Sequence, residues 1–239
     1  MNKEIFINEV NNLGYELTSK QIEQFEIYAD FLLEYNSHTN LTAIKEKDQV
    51  YLKHFFDSIT IIKSYDFKSV NNLIDIGTGA GFPGMVIKIL YPEIEVTLLD
   101  SNNKKINFLK ELSTKLNLEK INLCHERAEE YCTKHREIFD IVTARAVSNM
   151  TLLTEICMPF VKKEGYFIPL KGSNTEELTE AEYAIEILGG KIEKIINFQL
   201  PYEESGRNIV KIKKVKATPV QYPRRYDKIM KKPLKRNGK

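Results

Sequence analysis

The sequence predicts an α/β protein. Five parallel strands alternate with helices, an antiparallel hairpin completes a seven-stranded sheet, and a helical cap precedes it. Three observations carry that reading. From residue 72 onward, short runs rich in Ile, Leu and Val alternate with stretches of helical periodicity, an order that demands parallel strands joined by right-handed crossovers. The first run breaks at once into a glycine cluster, DIGTGAGFPG at 75–84, which opens an amphipathic stretch. Near the far end, the runs 191–200 and 208–215 are separated only by PYEESGR, a length that suits a hairpin.

Residues 1–65 show helical periods and no strand, so they read as a cap. Thr18-Ser19-Lys20-Gln21 has the form of a capping box, after which Ile22, Phe25, Ala29, Leu32 and Leu33 share one face. NSHTNLTA at 36–43 breaks that helix, and Asp48 starts another with Tyr51, Phe55, Ile59 and Ile62 spaced to bury one side. His54 and Asp57 lie one turn apart on it beside Ser58, a spacing that predicts a mutual structural hydrogen bond more than an acid–base pair. Strands are expected at 72–76, 95–99, 120–124, 138–143 and 165–170. The intervening helices fall at 82–91, 102–117, 126–133, 149–160 and 175–188, the last closed by Gly189-Gly190. The implied organisation is a cap at 1–65, an α/β domain at 66–216 and a basic tail at 217–239.

The net charge of +2 hides an asymmetry. Residues 211–239 hold 12 Lys or Arg and one acid, Asp227, a balance of +11, while the other 210 residues carry 23 basic and 32 acidic groups, a balance of −9. Such a tail attracts a polyanion by displacing counterions from phosphates. Tyr222, Pro223 and Tyr226 interleave with Arg224 and Arg225, placing stacking faces beside phosphate-binding forks. The tail therefore reads as a nucleic-acid-binding arm, with a solvated tail as the alternative, and its removal should leave cofactor affinity unchanged. No run is long and apolar enough for a bilayer, and the start MNKEIFINEVNN is too polar for a signal peptide, so a soluble cytoplasmic protein is expected. Cys124, Cys132 and Cys157 lack CxxC or metal-ligand spacing, which predicts reduced thiols and no metal site.

The glycine turn marks a nucleoside cofactor, and two cofactors compete for it. Gly79-x-Gly81-x-x-Gly84 fits a dinucleotide fingerprint, which would make the protein an NAD(P)-dependent oxidoreductase. A diphosphate, however, needs free amides and positive potential at the helix start. Pro83 has no amide to give, Asp75 adds a negative charge, and no Lys or Arg lies between Ser69 and Val86. S-adenosylmethionine carries no phosphate and has cationic ammonium and sulfonium centres, for which Asp75 would be an asset. Asp100 ends the second strand 19 residues past Gly81, where a carboxylate accepts both ribose hydroxyls of either cofactor. Five parallel strands followed by a hairpin match the Rossmann-like sheet of class I S-adenosylmethionine-dependent methyltransferases better than six parallel strands of a dinucleotide fold.

Ligands bind outside the carboxyl ends of the strands. There the third strand is followed by His125-Glu126-Arg127-Ala128-Glu129, which offers an amide and a carboxylate to an adenine edge, and the fourth by Ala144-Arg145-Ala146-Val147. Arg145 would hold a carboxylate or phosphate where cofactor and acceptor meet. The Asn/Asp-Pro-Pro-aromatic pattern of exocyclic amine methylation is missing from that place, which reads TARAV. Neither Cys124 nor Cys157 sits as a pyrimidine-attacking nucleophile should. A ring nitrogen with its own in-plane lone pair needs neither device, only alignment with the methyl group.

NLTAI at 40–44, HFFDS at 54–58, DIGTGAGFPG at 75–84, ERAE at 126–129, DIVTARAV at 140–147 and YPRR at 222–225 resemble, in order, the bacterial glucose-inhibited division protein B family. The resemblance spans nearly the whole chain. It implies a 16S rRNA guanine-N(7) methyltransferase that uses S-adenosylmethionine, with its acceptor in the 530 loop of 16S rRNA in the small ribosomal subunit; a monomer is expected. It also carries cofactor contacts onto Gly77, Phe82, Ala128, Glu129 and Arg145. Gly79 and Asp100 are added by the sheet argument, and Lys171, Arg207, Arg224 and Arg225 are the expected phosphate contacts. No residue is assigned a catalytic proton transfer. Members often continue past the Pro-Arg pair with a Gly-x-Pro turn, whereas this chain has YDKIMKKPL. A non-catalytic RNA-binding assembly factor with the same fold is the alternative of another class.

Overall fold

A computed structural model describes residues 1–145, 148–174 and 176–236. One sheet organises it, with strands β1 (Asn72–Ile76), β2 (Glu95–Asp100), β3 (Ile121–His125), β4 (Phe139–Arg145), β5 (Val161–Gly172), β6 (Gly190–Gln199) and β7 (Gly206–Lys214) in the order β3-β2-β1-β4-β5-β7-β6. β1 to β5 pair in parallel, and β7 inserts antiparallel between β5 and β6. The order reverses between β1 and β4, and that switch point opens the crevice in which the site lies.

Alternation along β1 divides the core. Leu73 faces one side with the apolar residues of α1 (Lys3–Asn12), α2 (Ser19–Thr39), α5 (Gly84–Leu90) and α6 (Asn103–Lys115); Ile74 and Ile76 face the other with α8 (Met150–Cys157) and α9 (Glu176–Ile187). The cap thus lies on the α5/α6 face. Its capping box forms: Gln21 N donates to Thr18 Oγ1 and Thr18 N to Gln21 Oε1. Gln21 Nε2 then donates to Ile89 O and Leu90 O, at 3.0 and 3.1 Å, satisfying carbonyls left open at the end of α5.

The third cap helix is not regular. It begins as α3 (Lys47–Val50), widens into a π-turn over Tyr51–Phe56, resumes as α4 (Asp57–Ile59) and tightens to 3₁₀ over Thr60–Lys63. Periodicity cannot reveal this, because the buried residues Tyr51, Phe55 and Ile59 keep a four-residue spacing through the widened turn. Other expected bounds shift as well. The first αβ helix begins at Gly84, since Phe82 and Pro83 complete the glycine turn. After β3 only α7 (Ala128–Tyr131) is α-helical. β5 runs from Val161, earlier than 165, because Val161 already pairs with Phe139. No helix among the described residues is long and apolar enough to cross a membrane.

Candidate functional site

The strand ends at the switch point enclose a cavity of about 550 Å³. Its walls include Gly77, Thr78, Gly79 and Phe82 from the glycine turn, Asp100 from β2, Ala128 and Glu129 from α7, and Arg145 from β4. All seven residues expected at the cofactor, Gly77, Gly79, Phe82, Asp100, Ala128, Glu129 and Arg145, therefore border one space. The size suits a nucleoside joined to an amino acid.

The turn has its shape because Gly77, Gly79 and Gly81 all take positive φ. Their empty Cβ positions differ in consequence. A Cβ on Gly79 would meet nothing within 4 Å, so that glycine leaves open space; one on Gly84 would come within 2.5 Å of Leu98 Cδ2 and 2.8 Å of Asp75 Cβ. Asp100 fastens the turn from the other strand, accepting from Gly79 N at 2.9 Å through Oδ2 and from Asn102 N at 2.9 Å through Oδ1. The carboxylate still borders the cavity.

Asp75 does not. Expected beside the cationic end of the cofactor, it is fully buried and absent from the cavity wall. It shares the face of Leu73, so strand alternation points it at the start of α5. There Oδ2 accepts from Thr78 Oγ1 at 2.7 Å and Gly84 N at 2.8 Å, while Oδ1 has no hydrogen-bond partner among the described residues. Burial raises its pKa to about 6 against those two bonds. Its role is to hold the turn.

Arg145 is the hub of the other end. Nη1 donates to Lys53 O at 2.8 Å and Asp57 Oδ2 at 3.1 Å, and Nη2 donates to His54 Nδ1 at 3.0 Å. The guanidinium carbon also lies 5.0 Å from the centroid of Phe82, on which the His54 ring stacks at 4.3 Å. His54 and Asp57 therefore do not bond each other as their spacing predicted; each turns to Arg145. An arginine that can only donate fixes the imidazole: Nδ1 accepts, so Nε2 carries the proton and donates to Thr42 Oγ1 at 2.9 Å. Burial, and then the adjacent Arg145 charge, push the His54 pKa down to about 3. The ring is neutral and has no free lone pair.

Beyond Arg145 lies a second cavity of about 310 Å³, bordered by Lys53, His54, Asp57, Arg145, Lys171, Gly172 and Arg207. Arg145 and His54 border both spaces. Asp57 spans two arginines here, since its Oδ1 accepts from Arg207 Nε at 3.0 Å. Lys171 donates to Ser148 O at 2.6 Å and pairs with Glu177 at 2.9 Å. Of the expected phosphate contacts, Lys171 and Arg207 are thus brought together. Arg225 is an exposed side chain near Asp227, at 3.3 Å. Arg224 goes elsewhere, onto the buried carboxylate of Glu155 at 2.6 Å. Ala146 and Val147, grouped with Arg145 in the sequence, lie outside the described residues.

Thr42, Ile156 and Tyr226 also border the first cavity; sequence reasoning gave none of them to the cofactor, and it placed Tyr226 as a stacking face for nucleic acid. They come from the cap, α8 and the tail, and no local pattern links them to the glycine turn.

A seven-stranded sheet with β7 antiparallel, a glycine turn after β1 and an acid ending β2 define a class I methyltransferase fold. Solved structures agree on the fold. A SAM-dependent methyltransferase from Aquifex aeolicus superposes with a TM-score of 0.55 at 18% identity, covering 74% of this chain and 98% of that one. A SAM-dependent O-methyltransferase from Thermotoga maritima gives 0.54 at 17% identity, with 79% and 72% covered. The family model described as rRNA small subunit methyltransferase G matches residues 21–208. Proteins named ribosomal RNA small subunit methyltransferase G are 53% identical in Lachnoclostridium phytofermentans, over 96% of both chains, and 50% identical in Bacillus subtilis, over 94% of this chain and 95% of the other. The chain belongs to the rRNA small subunit methyltransferase G family.

Proposed function

We propose that the protein methylates N7 of a guanine in the 530 loop of 16S rRNA, with the first cavity holding S-adenosylmethionine and the second admitting the acceptor. Family membership supports the reaction and the rRNA substrate. The observation that carries the division of labour is the junction: Arg145 and His54 border both cavities, so the two spaces adjoin at these side chains.

The residues present fit the cofactor. Gly79 leaves its side-chain position open, Asp100 and Glu129 supply carboxylates for ribose and adenine, and no lysine or arginine lies in the turn to receive a diphosphate. When bound, S-adenosylmethionine supplies an electrophilic methyl carbon whose bond to sulfur breaks as the bond to N7 forms, leaving S-adenosylhomocysteine. Arg145, clamped by Lys53 O, Asp57 and His54, fixes the wall beside that line of attack. His54 and Asp57 remove no proton. The imidazole Nδ1 and both Asp57 oxygens already accept hydrogen bonds from arginines. A nucleophile with its own lone pair, such as N7, needs no base, and the positive charge only moves from sulfur to the purine. Lys53, Lys171 and Arg207 border the second cavity, each beside one acid, Glu203, Glu177 and Asp57, and on this reading they meet the RNA backbone next to the acceptor.

On this reading the enzyme acts as a monomer without a metal, on the small subunit in the cytoplasm, as a cap, a methyltransferase domain and a basic tail. The test supplies labelled S-adenosylmethionine to small subunits that lack the modification and maps the labelled base. The proposal predicts one N7-methylguanine in the 530 loop; label elsewhere, or none, sinks it.

A further inference from the structure

The C-terminal segment, whose charge reads as an arm apart from the catalytic unit, is docked upon it. Glu155 lies within α8 with none of its surface exposed. Its carboxylate is met by Arg224, through the backbone N–H at 3.1 Å, Nε at 2.7 Å and Nη2 at 2.6 Å. Upstream, Arg136 donates to the carbonyls of Thr218, Pro219 and Tyr222 at 2.6, 3.0 and 2.5 Å. Downstream, Ile229 of α10 (Tyr226–Lys231) is wholly buried in the core on the α8/α9 side. Lifting the segment would strand a carboxylate inside an apolar helix and uncover Ile229, so the docked position is the stable one.

Docking delivers one side chain to the cofactor cavity. Tyr226 follows Arg224 by two residues, borders the cavity with Ala128 and Ile156, and is 38% exposed overall. It has no hydrogen-bond partner among the described residues. It lies beyond residue 208, where the family match ends, and in the stretch YDKIMKKPL where the chain departs from the Gly-x-Pro pattern of the family it resembles.

We infer that Tyr226 is a cofactor-binding residue that offers its ring to the adenine, and that the Glu155–Arg224 pair is the device that positions it. Placement on the sheet argues for the adenine end. Ala128 follows β3, on the opposite side of β1 from β4, whose end carries Arg145 and the acceptor cavity. α10 packs on α8, so the tyrosine enters from the α8 side together with Ile156. An aromatic ring beside Ile156 and Ala128 gives a purine an apolar face to stack on and keeps water from it. On this inference the tail and the cofactor site are coupled, against the expectation of independence from the sequence.

The inference rests on the assignment of S-adenosylmethionine to the first cavity, so the test must separate the two. Binding of S-adenosylhomocysteine by calorimetry is compared among the full-length protein, Tyr226→Phe and Tyr226→Ala, with thermal melts of each and with small-subunit RNA binding as a second readout. Tyr226→Ala is expected to weaken S-adenosylhomocysteine by about tenfold, the scale of one base–aromatic stack. Tyr226→Phe should bind like the parent, and RNA affinity should be unchanged in both. Equal affinity in the parent and a folded Tyr226→Ala, or a loss confined to RNA, overturns the inference while leaving the cofactor assignment standing. A parent protein that gives no heat with S-adenosylhomocysteine brings down both.

Discussion

Replacing Asp57 by Asn tests whether one carboxylate holds the two cavities together. Asp57 is 5% exposed, with Arg145 Nη1 at 3.1 Å from one oxygen and Arg207 Nε at 3.0 Å from the other. Asn keeps the shape but removes the charge, and its amide NH₂ must face one of two donors that cannot accept. Removing the shared partner of a buried ion-pair network costs about 3–5 kcal/mol. The arginine side chains retain 14% and 21% of their exposure beside an open cavity, which places the loss at the lower end, about 3 kcal/mol. For a chain of this length that lowers Tm by about 6–12 °C. Urea unfolding followed by circular dichroism gives the difference directly. Added salt should narrow it, because chloride screens the two unpaired guanidinium groups. Unfolding within about 0.5 kcal/mol of the parent, a margin typical of a surface substitution, would show that Asp57 is not the brace between the two arginines.

Three further outcomes follow from the site. His54, neutral with its pKa near 3 in the fold and 6.5 when free, contributes stability that is present above pH 6.5 and lost as pH falls. From pH 7 to 5 the parent should lose about 2 kcal/mol more than His54→Gln. Asp75, raised to about 6, gains stability in that same interval but is common to both proteins; parallel pH profiles would contradict the assignment. Gly79→Ala should cost about 1–2 kcal/mol for its φ of 62° and weaken S-adenosylhomocysteine further by filling open space. Gly84→Ala should lower Tm more, because its Cβ would press on Leu98 and Asp75; equal behaviour of the two variants in melts and calorimetry refutes this contrast. Lys171→Ala and Arg207→Ala should each lower RNA affinity and flatten its logarithmic salt dependence by roughly 0.7 for every phosphate no longer neutralised, and an unaltered slope would remove that residue from the RNA path.

How much of this was legible follows from the range of the interactions. The turn from Gly77 to Gly84, the acid at Asp100 and the hairpin after residue 190 are local patterns, because a chain without Cβ atoms, a strand end and a short connection each leave a mark within a few residues. The sequence by itself therefore determined the class of sheet, the glycine turn and acid that border the first cavity, and the excess of positive charge in the tail. It could not say where charged side chains end. Asp75 looked available and is sealed under the turn, a consequence of which face of β1 meets α5. His54 and Asp57 looked like partners and instead converge on Arg145, 91 and 88 residues away. Arg224 looked free for phosphate and neutralises Glu155, 69 residues earlier. Charge pairing and burial act through space at the few ångströms where water is excluded, so only the tertiary structure decided which charges are buried against a partner and which stay exposed.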